Sequence, residues 1–188
     1  MRADAKPETL LVERIRTPIG AMLLAADEAG HLCAADFHDY EQRMLRLLRQ
    51  QYAAFGGRTL RKASIAANIR ERIHGYFDGD LNAIKRIKVK TGGTDFQRSV
   101  WTALRDVAAG ATETYGALAQ RIGLPAAVRA VGAANGANPV SIIVPCHRLI
   151  GADGSLTGYG GGIERKRWLL THEGAAFKGS SAKRLPGL

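Results

Sequence analysis

The stretch Ile142-Ile143-Val144-Pro145-Cys146-His147-Arg148-Leu149-Ile150 puts a thiol, an imidazole and a guanidinium on consecutive residues at the end of an apolar run. A thiol attacks as its thiolate, and a nearby imidazole or guanidinium lowers the pKa at which that form appears. Cys146 is therefore the candidate nucleophile and His147 the candidate base. The apolar run predicts a buried, strand-like segment. Neighbours in a strand point to opposite faces, so His147 reaches Cys146 only through a bridging water or a kink after Pro145. A base also needs a group that orients its ring, and Glu173 in Thr171-His172-Glu173-Gly174 is the carboxylate candidate. The second cysteine, Cys33, lies in an apolar stretch and is expected to be a buried, inert thiol. His31, Cys33 and His38 lie in or near one strand without a clear fourth ligand, so no metal site is expected. Two distant cysteines predict no disulfide.

A second constellation points to a polyanion. Tyr115 to Ile122 has helical spacing and stops at Gly123; Pro125 opens a further helix through Ala134. Two short helices with a glycine at the turn fit a helix–turn–helix. The second helix is unusual, because Ala126, Ala127, Ala130, Gly132, Ala133 and Ala134 surround Arg129, its one long charged side chain. A helix that reads bases in the major groove carries several polar side chains. This one is shaped for close approach to a backbone or a shallow groove, with one arginine able to enter the duplex. The formal net charge of +10, spread over both halves of the 188 residues, favours nucleic acid as partner.

The elements that position these groups read as follows. Leu11–Ile15, Ala21–Ala26 and His31–Phe37 are three closely spaced strands of an antiparallel meander. Asp39–Phe55 is a helix ended by Gly56-Gly57, and Ser64 caps a second helix that runs to Phe77. Ile84–Lys90 is a basic strand or extended segment, and Thr91-Gly92-Gly93 is the best boundary. Helices follow at about 95–108, at Tyr115–Ile122, from Pro125 to Ala134 and from Glu164 to His172, with Asn135–Pro139 as a loop. The domain reading is 1–91 for an N-terminal α/β part with its linker to about 93, 94–175 for a helical part carrying the chemistry, and 176–188 for a flexible basic tail. No apolar run spans a membrane and no signal-peptide core opens the chain, which predicts a cytoplasmic protein without membrane association.

Taken together, these residues resemble the O6-alkylguanine-DNA alkyltransferases. Pro145-Cys146-His147-Arg148, preceded by Asn138-Pro139 and followed by Gly158-Tyr159, carries the likeness. So do Phe96-Gln97-Arg98-Ser99-Val100-Trp101, Thr114-Tyr115-Gly116, Arg129-Ala130-Val131-Gly132 and His172-Glu173-Gly174. The likeness is strong over about 94–175; before that, only the order of strands then helices is similar. The resemblance implies an α+β fold, with a ribonuclease H-like N-terminal sheet and helices, then a winged-helix-like domain with the helix–turn–helix. It implies single-turnover transfer of an alkyl group from O6-alkylguanine, and from O4-alkylthymine, in double-stranded DNA to Cys146. His147, through a water, would take the thiol proton, and Glu173 would orient His147. Asn138 would support the active-site loop, and Tyr115 would crowd the 3′ phosphate and assist the leaving guanine. Arg129 would replace the extruded base, with Ala130, Gly132 and Ala133 against the minor groove. Tyr159, the Gly160 N–H, Pro145 and the carbonyls of Cys146 and Leu149 would form the base pocket. No metal or organic cofactor is implied, and self-association along DNA is a partner reading.

The residues leave two other functions open: a helix–turn–helix DNA-binding module without chemistry, and a cysteine hydrolase built on Cys146 and His147. Cys146 argues against the first, and the basic charge with the helix–turn–helix against the second. The chain also departs from the family pattern. Val107-Ala108-Ala109-Gly110-Ala111 lacks a proline before the Tyr115 motif, Asn135 and Gly136 replace bulkier residues, and the C-terminal tail has no counterpart.

Overall fold

The structure, a computed structural model, describes residues 8–52 and 58–180. Three strands open it: β1 (Glu8–Thr17), β2 (Gly20–Asp27) and β3 (Leu32–Phe37). β1 pairs antiparallel with β2, and β2 with β3, as the meander reading expects. A fourth strand, β4 (Arg58–Lys62), was not expected, since its basic sequence shows no apolar alternation. It pairs parallel to β1, so the sheet runs β3-β2-β1-β4 and is mixed rather than antiparallel. Thr59 to Lys62 are exposed, so main-chain pairing along the edge of β1, not burial, holds this strand.

Helix α1 (Glu41–Tyr52) covers one face of the sheet, where Met44, Leu48 and Tyr52 pack on Leu10, Leu23, Ala25 and Cys33. Its predicted stop at Gly56-Gly57 lies outside the described residues. Helix α2 (Ala67–Phe77) starts three residues after the predicted Ser64 cap, and no side chain caps it. The segment before it is claimed by the sheet instead: Ala63 N–H donates to the Val12 carbonyl at 3.2 Å, and Ile65 N–H to Glu13 Oε2 at 2.8 Å. The expected basic strand at 84–90 is half a 3-10 turn (Ala83–Arg86). Only Lys88–Lys90 is extended, bracketing the start of β3 through Leu32.

After residues 91–93 come α3 (Asp95–Asp106), β5 (Glu113–Thr114), α4 (Tyr115–Arg121), α5 (Val128–Gly136), β6 (Leu149–Ile150) and α6 (Ile163–His172). Thr94 and Gln97 form a reciprocal capping box at the start of α3. The helix–turn–helix appears as α4, a 3-10 turn at Pro125–Ala127, and α5. Asn135 and Gly136, expected in a loop, form the last turn of α5. The expected strand at 142–150 is regular only at Leu149–Ile150, paired parallel to β5. The C-terminal segment is not loose where it is described, because Phe177 is buried and the Lys178 N–H donates to the Gly154 carbonyl. None of the described helices is long and apolar enough to cross a membrane.

One hydrophobic cluster crosses the boundary, joining Leu24 and Ile73 to Trp101, Val131 and Leu149. Polar staples reinforce it. Arg165 on α6 donates to the Ile19 carbonyl, pairs with Asp39 and stacks over the Phe37 ring at 4.1 Å. Gln51 on α1 donates to the Ala137 carbonyl at 2.9 Å. Because α3 carries Trp101, whose indole N–H donates to the Ala134 carbonyl of α5, its cap matters to the whole C-terminal part. Thr94→Ala should cost about 1 kcal/mol, read as a lower urea midpoint at unchanged m-value.

Candidate active site

The turn that carries Cys146 is organised by Asn138, which is fully buried just after α5. Its Oδ1 accepts from Val140 N–H at 3.0 Å, and its Nδ2 donates to the Val144 carbonyl at 2.9 Å and to Cys146 Sγ at 3.0 Å. Between these anchors the chain reverses tightly. Ile142 has φ +73°, and Ile143 N–H donates to the Ser141 carbonyl across it, a γ-turn of the strained hand. A β-branched residue there costs on the order of 1–3 kcal/mol, which the surrounding bonds must offset. Pro145, at φ −82° and ψ 63°, then makes an inverse γ-turn closed by Cys146 N–H on the Val144 carbonyl. Here is the expected kink at Pro145, within turns rather than a strand. Cys146–Arg148 continues as one 3-10 turn.

That turn sends its side chains two ways. His147 and Arg148 both go to Glu173, the C-cap of α6. His147 Nε2 lies 2.9 Å from Glu173 Oε1, and Arg148 donates from Nε to Oε2 at 2.9 Å and from Nη2 to Oε1 at 2.8 Å. Tyr76 on α2 adds a further donor to Oε1 at 2.7 Å. Burial alone would raise the Glu173 pKa, but His147 and Arg148 outweigh it and hold the carboxyl well below the usual range. Burial pushes the His147 pKa down against the pull of Glu173, so the ring is neutral at neutral pH. With Nε2 facing the carboxylate, Nδ1 is a buried atom without a protein partner. No hydrogen bond joins the ring to the thiol directly.

Cys146 Sγ is almost fully buried, and burial raises its pKa; the Asn138 hydrogen bond, Arg43 and Lys166 pull it back. The sequence reading expected the adjacent Arg148 to help lower it. Arg148 is instead committed to Glu173 and the Val107 carbonyl, and the cations that act come from α1 and α6. Arg43 pairs with buried Asp36 and donates to the Gly136 and Asn138 carbonyls. The thiol opens into a cavity of about 350 Å³, walled by Tyr115 and Tyr159 and by Asn135, Gly132, Gly158 and Gly160. Tyr115 accepts from the Thr157 hydroxyl at 3.0 Å. A side chain at Gly161, just behind this wall, would meet the Phe37 and Tyr159 rings at 2.7 Å, which explains a glycine there. Leu149 and Pro145 are buried beside the cysteine but do not line the cavity.

Arg129, Ala130 and Ala133 lie on the exposed face of α5, and Gly132 turns toward the Tyr115 ring. The predicted residues therefore fall in three places: a thiol pocket, a polar dyad behind it, and an open helix face beside its mouth. Tyr76, Arg43, Asn135 and Lys166 were missed. Asn135 donates to the Cys146 carbonyl at 3.4 Å. Lys166 alone had a signal, as a lysine at a position of α6 that faces the core.

Residues 95–175 match the family described as 6-O-methylguanine DNA methyltransferase, DNA binding domain. A methylated-DNA–protein-cysteine methyltransferase of Shigella flexneri is 46% identical over 165 residues, covering 88% of this chain and 96% of that one. One from Mycobacterium tuberculosis is 43% identical over 159 residues, covering 85% and 89%. The crystal structure of Mycobacterium tuberculosis OGT in complex with DNA superposes with a TM-score of 0.70 at 39% identity, covering 87% of this chain and 92% of that one.

Glu173→Gln would leave the Arg148 guanidinium buried without a counter-charge, at a cost of about 3–5 kcal/mol at neutral pH. The depressed carboxyl stabilises the fold fully above its unfolded pKa of about 4.3, and this is lost as pH falls through the folded value. Urea unfolding at pH 7 and pH 3 should therefore show a smaller gap between wild type and variant at the lower pH.

Proposed function

Because the chain belongs to the methylated-DNA–protein-cysteine methyltransferase family, we propose that it moves the alkyl group of O6-alkylguanine in double-stranded DNA, and of O4-alkylthymine, onto Cys146. Each molecule acts once. The observation that carries this reading is the thiol at the floor of a 350 Å³ pocket whose mouth adjoins the open face of α5.

A base within a duplex offers no path to a protein sulfur, so the damaged nucleotide must leave the stack, at a cost of a few kcal/mol. On this reading α5 enters the minor groove, Ala130, Gly132 and Ala133 permit close approach, and Arg129 fills the gap in the stack. The extruded base sits between Tyr115 and Tyr159. Its amino group donates to the carbonyls of Cys146 and Leu149, and its O6 faces the Gly160 N–H. The Cys146 carbonyl already accepts from the Leu149 N–H and from Asn135, and the Leu149 carbonyl from Lys166, so the base shares these acceptors with bonds inside the protein.

Burial keeps Cys146 a neutral thiol at rest, so its proton must leave before attack. The neutral His147 ring, with Nε2–H toward Glu173, presents Nδ1 as an acceptor, and one water relays the thiol proton to it. The thiolate then attacks the alkyl carbon in line. The S–C bond forms as the C–O6 bond breaks, and the bonding pair passes to the guanine, which takes up a proton. Tyr115, whose hydroxyl accepts from Thr157, keeps its own proton for that leaving group. The product is a thioether that water does not cleave, hence no turnover. The alkyl group passes straight from oxygen to sulfur, so the reading calls for no metal or organic cofactor.

On this reading residues 94–175 hold the chemistry and 1–91 support it, inside the cell where DNA is. The strand order β3-β2-β1-β4 supports a ribonuclease H-like N-terminal part, and α4–α5 with the β5–β6 ladder a winged-helix-like C-terminal part.

Peptide mass spectrometry after mixing with a duplex holding one O6-methylguanine should show a stoichiometric methyl gain on the Cys146 peptide and nothing further. DNA binding without a gain would instead favour a non-catalytic binder. Cys146→Ser should abolish transfer while duplex binding persists; transfer retained in that variant would remove Cys146 as acceptor. Arg129→Ala should slow transfer from duplex far more than from single-stranded DNA, and equal losses on both would count against its place in the stack.

A further inference from the structure

Lys166 is the only buried lysine among the described residues. Its ammonium group donates to the Leu149 carbonyl at 2.5 Å and to the Thr157 carbonyl at 3.0 Å, with no carboxylate among the described residues at ion-pair distance. A buried cation without a counter-charge is costly, so the groups around the ammonium decide whether it stays charged. The two acceptors are informative. Leu149 directly follows the turn bearing Cys146, and Thr157 directly precedes Gly158-Tyr159-Gly160, a wall of the pocket. Thr157 also donates to Tyr115. From α6, one side chain therefore fixes the cysteine segment against the loop that faces it.

The electrostatics agree with this placement. The charge of Lys166 acts on the Cys146 thiol and on the His147 ring. Around the thiol stand Arg43 of α1, Asp36 of β3 and Tyr159. Arg43 is paired with Asp36, and Glu173 is taken up by His147, Arg148 and Tyr76. Burial lowers the Lys166 pKa to about 8, and Cys146 pulls it back up.

Taking Cys146 as the alkyl acceptor, we propose that Lys166 is a positioning residue for the transfer: its ammonium ties the cysteine segment to the pocket loop and is the counter-charge that makes the thiolate attainable. The thioether carries no charge, like the resting thiol, so the ammonium keeps its two carbonyl acceptors and the tether outlasts the single transfer.

The test begins without DNA. The rate at which iodoacetamide labels the Cys146 peptide is followed against pH in wild type, in Lys166→Met, which removes the charge and the tether, and in Lys166→Gln, which keeps a donor. Both variants should label about tenfold more slowly at pH 7, with the midpoint of the profile moved up by about one pH unit. Methyl transfer from an O6-methylguanine duplex should slow in parallel at unchanged DNA affinity. A folded variant with the wild-type midpoint overturns the counter-charge. If neither variant folds, the wild-type labelling profile decides: its rise with pH should flatten near pH 8, where Lys166 gives up its proton, and a rise unbroken through that range overturns the proposal. Wild-type transfer with no midpoint shift in the variants sinks Lys166 alone. A midpoint shift in a wild type that takes no methyl sinks the transfer reading and upholds the counter-charge.

Discussion

One buried carboxylate holds the site together. Glu173 takes four hydrogen bonds, from His147, twice from Arg148 and from Tyr76. A carboxylate out of water is tolerable only when its oxygens are this well met. Meeting them fixes the direction of the 3-10 turn 146–148, because two of its three side chains must end at one point. The third, Cys146, is thereby turned the other way, into the pocket. The arrangement also decides the state of His147. One ring nitrogen is bound to the carboxylate, and burial keeps the ring neutral, so the other nitrogen is an acceptor. Replacing the whole network with apolar side chains could equal its stability but not its geometry.

The thiol sits under opposing demands. An exposed, low-pKa cysteine would be oxidised or alkylated by whatever it met. Burial raises the Cys146 pKa and leaves a quiet thiol, while Asn138, Arg43 and Lys166 hold the means to ionise it. Asn138 does double service, bonding the sulfur and bracing the strained turn at Ile142. Strain of this kind persists only where the surroundings over-determine it. Here they are an asparagine amide and two γ-turns, set so that the cysteine faces the cavity.

How much of this was legible in the sequence follows from what each residue type can signal. The meander, α3 and the helix–turn–helix were readable, because their apolar spacing and turn residues are local. β4 was not, since it forms by backbone pairing to β1 and its side chains carry no pattern. Ser64 was read as a cap because serine caps helices; the sheet's hold on Ala63 and Ile65 overrode it. The apolar run before Cys146 looked like a strand because it is buried, but hydrophobicity reports burial and not backbone path. Cys146, His147 and Glu173 came out through residue type and motif. Their role for Arg148 did not, because adjacency in sequence says nothing of where a long side chain ends.

Several side chains that sequence reasoning did not bring to the site act across long separations. Tyr76 reaches Glu173 from α2, Arg43 reaches the Gly136 and Asn138 carbonyls from α1, and Gln51 reaches the Ala137 carbonyl. All three start in the N-terminal half; Arg43 and Gln51 end on the segment that leads to the cysteine, and Tyr76 on the carboxylate that fixes its turn. Removing that half would leave a buried carboxylate short of a donor and would free the end of α5, on which both the pocket and its approach depend. Support is therefore too weak a word for what the N-terminal half does. A composition break at 91–93 marks where the chain changes style, while the hydrogen bonds that set the chemistry run across it.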